Sequence, residues 1–198
     1  MQPPDARPRA RLATADDGPA CAAIYAPYVT DTSISFELEP PDGAEMGARI
    51  ARTIERTPWV VVEVGGVVRA YAYATRHRER PAYDWTVETA VYVDPRLARV
   101  GLGRMAMRAV LAILRAQGAH LVVAGITLPN EGSVALHLGL GFERIGGFEA
   151  IGWKRGGWHG VDWFALELGP REDEPMPLIP LPGLAGTVTL AVALAGDA

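Results

Sequence analysis

From Val91 to Gln117 the chain runs through an apolar strand, Asp94-Pro95, an arginine-flanked loop, Gly101-Leu-Gly103 and a helical stripe. Few folds accept that order. Leu102, Met105, Ala109 and Ile113 fall on one helical face, widened by Ala106, Val110 and Leu114, and Gly118 is the expected stop. Glycines let a backbone approach a phosphate closely, and amides at a helix N-terminus present donors to it. Arg99 and Arg104 would add charge-assisted bonds to a pyrophosphate. Pro95 to Asn130 holds five arginines and no acid, although the formal net charge of the chain is −4. The segment wants an anion, while the overall charge argues against a nucleic-acid binder working by bulk electrostatics. Gly-x-Gly alone is equally consistent with a turn carrying solvated arginines.

The 198 residues suffice for one compact domain. Arg9–Ala13 reads as a short strand, Thr14–Asp17 as a capping-box-like start and Ala20–Tyr28 as a helix. Ile34 and Phe36 anchor a turn-like stretch, and Pro40-Pro41-Asp42 caps a second helix reaching Arg56. Trp59–Val64, Gly65-Gly66 and Val67–Thr75 form a hairpin; Trp85–Val93 is the next strand. His120–Ile126 reads as a buried strand, Ser133–Leu140 as a short helix, and Phe142–Trp153 with Trp158–Leu168 as a closing hairpin. The result is a mixed sheet with helices on both faces. We expect a domain over 1–169 and, over 170–198, a proline-rich linker followed by an added edge strand, since Val188, Leu190, Val192 and Leu194 alternate.

One cysteine, Cys21, excludes a disulfide framework and a cysteine-based zinc site, and His77, His120, His137 and His159 are too scattered for a helical metal pair. No metal is expected. The N-terminus has no apolar signal region and Gly183–Ala195 is too short to span a bilayer, so a cytoplasmic protein without a membrane partner is the expectation.

Gly101-Leu-Gly103-Arg-Met-Ala106 formally fits a dinucleotide fingerprint, but that motif follows its strand directly and needs an acid about twenty residues on. Here Asp94-Pro95 and five more residues intervene, and no acid lies between Asp94 and Glu131. Strand, Pro-Arg loop, Arg99-x-Gly101-x-Gly103, helix, strand, Asn130, short helix and Leu140-Gly-Phe142 instead resemble the GNAT acetyltransferases. Within them the sequence is most similar to phosphinothricin and methionine sulfoximine N-acetyltransferases. Trp59–Glu63, Ala82–Glu88, Val91–Val93, Leu128-Pro-Asn130, His137 and Gly157-Trp-His159 carry the resemblance, from about Arg7 to Leu168. It implies a twisted mixed sheet of six to seven strands, a V-shaped acetyl-CoA cleft and a homodimer. Ala98 stands where the family has glutamine or arginine, and Arg104 where it has a small residue. Thr127, Glu131 and Gly132 differ on the acceptor side, which bears on the acceptor rather than the chemistry.

Acetyl transfer to an amine needs a base for the ammonium proton and donors for the developing oxyanion. By resemblance Glu88 is the base and His137 stands where relatives carry a tyrosine that protonates the leaving thiolate, its role as acid or second base open. The residues alone allow Glu88 a salt bridge with Arg76, Arg78 or Arg80. Val91, Tyr92, Val93, Arg99, Val100, Gly101, Leu102, Gly103, Arg104 and Asn130 are the expected acetyl-CoA contacts. Phe36, Arg78, Arg80 and Tyr83 are the candidate wall and clamp for a small anionic or polar amine. Lys154, Trp158 and His159 suit a dimer contact or an acceptor lid. Two other readings remain: transfer to another small amine or a protein N-terminus, and a coenzyme A-binding module without catalysis.

Overall fold

The computed structural model describes residues 7–195; positions 1–6 and 196–198, the outer ends of the expected domain and tail, lie outside it. In chain order the elements are β1 (Arg9–Leu12), α1 (Gly18–Thr30), α2 (Gly43–Ile54), β2 (Trp59–Val64), β3 (Val67–Arg76), β4 (Thr86–Val93), α3 (Leu102–Gln117), β5 (Leu121–Thr127), α4 (Glu131–Leu138), β6 (Glu143–Lys154), β7 (Gly157–Glu167) and α5 (Val188–Ala195). The strands form one sheet in the order β1-β2-β3-β4-β5-β7-β6. All described pairings are antiparallel except β4 with β5.

Local chemistry sets most boundaries. Gly65 and Gly66 have φ of +60° and +76°, the conformation a two-residue hairpin turn requires. The Asp42 carboxylate accepts the Glu45 amide at 2.8 Å and starts α2; Gly118, at φ +87°, ends α3. β2 is buried on both sides. Val60 and Val62 join Ala70, Ala72 and the α3 stripe on one face, whereas Trp59, Val61 and Tyr71 join α1 and α2 on the other.

One expectation fails. Thr187–Leu194 is no edge strand: Val188–Ala195 is helical and packs on α3 and β1. The alternation hides a helical spacing, because Leu190, Ala193 and Leu194 share one side and meet the α3 cluster. Val188, on the other side, is 79% exposed. The Leu190 amide donates to Thr187 Oγ1 at 3.2 Å, a capping contact that a strand would not need. The proline-rich segment before it also packs, burying Leu181 and Leu184. The Gln117 side-chain amide donates to the Arg56 and Ile179 carbonyls at 2.6 and 2.7 Å, tying tail to body.

Candidate active site

Where β4 leaves β5, the sheet opens. Their parallel register runs Thr86↔Leu121, Val87↔Val122, Glu88↔Val123 and stops. Beyond it, Thr89–Val93 and Ala124–Thr127 line opposite walls of a cavity of about 440 Å³. On its other edge β4 stays paired with β3 to Val93, so only its β5-facing backbone groups are released.

The arginine loop closes one end of this cleft. Arg99 has φ +68° and Gly101 φ +90°, two left-handed residues that turn the chain into α3. A Cβ at Gly101 would meet nothing within 4 Å, so this glycine serves conformation; a Cβ at Gly103 would lie 3.1 Å from Val93, so that one serves packing. No side chain caps α3, unlike α2 and α4, and the first backbone bond into Gly101 comes from Met105. The amides of Leu102, Gly103 and Arg104 therefore have no helical acceptor, at residues that line the cavity.

The loop itself is held by Asp94. This buried carboxylate accepts from Arg96 at 2.8–2.9 Å, from the Arg96 amide at 3.1 Å and from Arg69 at 2.9 Å. The Arg96 contacts chiefly hold its pKa well below the usual carboxylate range. Arg96 is thus committed to the loop, and Arg99 and Arg104 are the arginines in the cavity wall. Val91, Tyr92, Val93, Gly101, Leu102, Gly103 and Asn130 also line it, whereas Val100 does not and is 62% exposed. Asn130 spends its side-chain oxygen on capping Ser133, at 3.2 Å, which leaves its amide nitrogen for a ligand.

Glu88 stands at the vertex, where pairing ends, on the sheet face that α1 and α2 cover. It is half-buried and pairs with none of the three arginines: its Oε2 lies 3.3 Å from His77 Nδ1. Arg76 instead approaches Asp84, at 3.6 Å, and Arg78 donates to the His77 carbonyl at 2.9 Å. Arg78 and Arg80 are exposed on the loop before β4. Tyr83 packs edge-on to His77 at 6.2 Å. From sequence His77 has no place in the site; the antiparallel register of β3 and β4, Thr75↔Glu88, is what puts it there.

His137 is buried and lines the cavity. Its Nδ1–H donates to the Ser133 carbonyl, one turn earlier, at 2.8 Å. That fixes the tautomer and leaves Nε2 with a lone pair and no partner among the described residues. Burial pushes the pKa down, with the Ser133 bond opposing, so the ring tends to neutrality.

The segment between α1 and α2 roofs the cleft and is pinned from several sides. Tyr28 donates to the Val93 carbonyl at 2.6 Å, and Thr127 to the Ile34 carbonyl at 3.2 Å. Lys154, the chain's single lysine, is 6% exposed and donates to the Val29 and Ser35 carbonyls at 2.6 and 2.7 Å. His159 Nε2 donates to the Lys154 carbonyl at 2.8 Å and lies 3.0 Å from Ser33 Oγ. Phe36 rests over Gly152, where any Cβ would overlap its ring. Lys154 and His159 thus fasten the roof, while Trp158 is exposed.

Residues 24–142 match the model of the acetyltransferase (GNAT) family. A phosphinothricin N-acetyltransferase of Streptomyces viridochromogenes is 42% identical over 181 residues, covering 89% of this chain and 99% of that protein. An L-methionine sulfoximine/L-methionine sulfone acetyltransferase of Pseudomonas aeruginosa is 34% identical, covering 80% and 94%. Among solved structures, a GNAT superfamily phosphinothricin acetyltransferase from Sinorhizobium meliloti, crystallised with acetyl-CoA, superposes with a TM-score of 0.82. It is 31% identical and covers 88% of this chain and 96% of its own.

Proposed function

The chain belongs to the acetyltransferase (GNAT) family, and from that premise we propose that it acetylates the amine of a small amino-acid-like acceptor of the phosphinothricin, methionine sulfoximine or methionine sulfone type. Acetyl-CoA is the cosubstrate and supplies the acetyl thioester. The observation that carries this reading is the splayed β4–β5 cleft, with an uncapped helix N-terminus at one end and a carboxylate at its vertex. Amides of Leu102, Gly103 and Arg104, with the Arg99 and Arg104 side chains, take the pyrophosphate. Released backbone groups of Val91–Val93 hold the pantetheine arm and polarise the thioester carbonyl. Glu88 takes the ammonium proton, and the free amine bonds to the acetyl carbon as the carbon–sulfur bond breaks. Coenzyme A leaves as a thiolate that takes a proton from solvent, while the amide nitrogen loses its second one. His137, with its Nδ1 proton committed to Ser133, acts as a second acceptor rather than an acid. Phe36, Arg78, Arg80 and Tyr83, none of which lines the β4–β5 cavity, would meet the acceptor on the Glu88 side. No step calls for a metal.

A coenzyme A-binding module without catalysis would need neither Glu88 nor a histidine with a bare, buried Nε2. We further propose a homodimer. β6 is an edge strand whose hairpin with β7 exposes Ile145, Phe148, Ile151, Trp153 and Trp158, an apolar surface that invites a second copy. No helix among the described residues is long and apolar enough to cross a membrane.

Glu88→Gln tests the reading. It keeps shape and a hydrogen-bonding group but cannot accept the proton. With an amino-acid analogue at saturation, turnover should fall by about 10²–10⁴-fold, with acetyl-CoA affinity and melting temperature unchanged. Turnover within a few-fold of wild type across the pH range would remove Glu88 as base.

A further inference from the structure

The carboxylate at the vertex has a partner of its own. The His77 amide donates to the Thr86 carbonyl at 3.4 Å, which fastens residue 77 beside the start of β4 rather than leaving it to the loop. The register Arg76↔Val87 and Thr75↔Glu88 then brings the imidazole next to Glu88. Two aromatic rings stand nearly perpendicular to it: Tyr83 at 6.2 Å and 72°, Trp163 at 5.9 Å and 78°. The side chain is only 18% exposed, against 36% for Glu88. An ionised carboxylate only accepts hydrogen bonds, so in the 3.3 Å contact with Oε2 the proton is on Nδ1.

We propose that His77 is a positioning residue for Glu88, its Nδ1–H holding Oε2 so that Oε1 is presented to the acceptor amine. The inference rests on Glu88 being the base. Tyr83 and Trp163 lock the imidazole, so the orientation passes from a packed ring to a half-exposed carboxylate. The choice of histidine has a physical reason. A guanidinium partner favours the charged carboxylate strongly and makes it a weaker base; an imidazole N–H orients the group with a smaller loss of basicity. The neighbouring arginines are drawn elsewhere: Asp84 holds Arg56 at 3.2 Å and Arg76 at 3.6 Å.

Three substitutions separate positioning from packing. His77→Ala removes donor and ring, His77→Phe keeps the ring packing, and His77→Asn restores an amide N–H near the place of Nδ1. Each is made in wild type and in Glu88→Gln, with kcat, both KM values and melting temperature measured using acetyl-CoA and an amino-acid analogue acceptor. We expect His77→Ala and His77→Phe to lower kcat about tenfold, the scale of one half-exposed bond to a charged group, with KM for acetyl-CoA unchanged. His77→Asn recovers most of that loss. In the Glu88→Gln background all three change kcat less than about twofold, because they act through the missing carboxylate. A functional His77→Phe beside a poor His77→Asn would assign packing instead and overturn the proposal, as would equal losses in both backgrounds. If Glu88→Gln is slow while every His77 variant is fast, the proposal alone falls. If Glu88→Gln is itself fast, the base assignment falls and takes this one with it.

Discussion

Lys154→Met asks how firmly the cleft's roof depends on one buried ammonium. Methionine fills the volume of the lysine stem, so no cavity opens and the loss is polar. Two carbonyls, Val29 at the end of α1 and Ser35 in the roof, lose their donor. Bonds to a charged group contribute about 1.5–3 kcal/mol each, and a buried acceptor left bare costs about 1–3 kcal/mol. Opposing this, the substitution removes the cost of burying the ammonium, the main cause of its lowered pKa. Among the described residues no carboxylate bonds the ammonium directly, and Glu37 opposes the lowering only from a distance. The net expectation is therefore the low end for two bonds, about 3 kcal/mol, or a fall in melting temperature of about 6–12 °C for a chain of this length. Because the roof carries Phe36, KM for the acceptor should rise while KM for acetyl-CoA holds. Urea unfolding with steady-state kinetics on both substrates reads both effects. Destabilisation below about 1 kcal/mol together with an unchanged acceptor KM would refute the argument, showing the carbonyls to be satisfied without the lysine.

Gly101→Ala should weaken acetyl-CoA binding by calorimetry and lower the melting temperature by about 2–8 °C, less than Gly103→Val does, because φ of +90° costs an alanine about 1–2 kcal/mol but nothing nearby clashes. Gly103→Val should lower both, since its branches enter the contact with Val93 and Leu136; equal profiles for the two variants would contradict the division of roles. Asp94 is depressed in the folded state, so its contribution is full above the ordinary carboxylate pKa near ~4 and is lost only as pH falls below it. The melting-temperature gap between wild type and Asp94→Asn should thus be flat above about pH 5 and narrow in acid; a gap that widens in acid has the wrong sign. Deleting residues from Pro170 onward should uncover the α3 surface under Leu181, Leu184 and Ala193 and lower the melting temperature by at least about 5 °C; an unchanged melting curve would show that the tail's packing is idle.

Features decided within a few residues were legible in the sequence. Gly65-Gly66, Asp42 and Gly118 turn, cap and stop their elements through their own backbone and side-chain chemistry. The arginine loop before α3 reads the same way, since a helix N-terminus is an anion site by construction. Residues that act through a distant partner were not legible. Val188–Leu194 carries both a period of two and an i, i+4 pair, and only the presence of α3 beneath Leu190 and Leu194 selects the helix. Asp94 takes Arg96 from two positions on, but its other partner, Arg69, is 25 positions away and meets it only through the fold. Lys154 reads from sequence as suiting a dimer contact or an acceptor lid, and only the packed fold shows it buried beneath the roof. His77 acquires its place from a β3–β4 register and two aromatic neighbours, one of them 86 positions away. The cleft itself has no sequence signature, because it exists where two strands cease to pair. Local spacing determined most of the elements and the arginine-glycine loop before α3; which groups meet, and which are left free to react, was decided by packing between segments far apart in the chain.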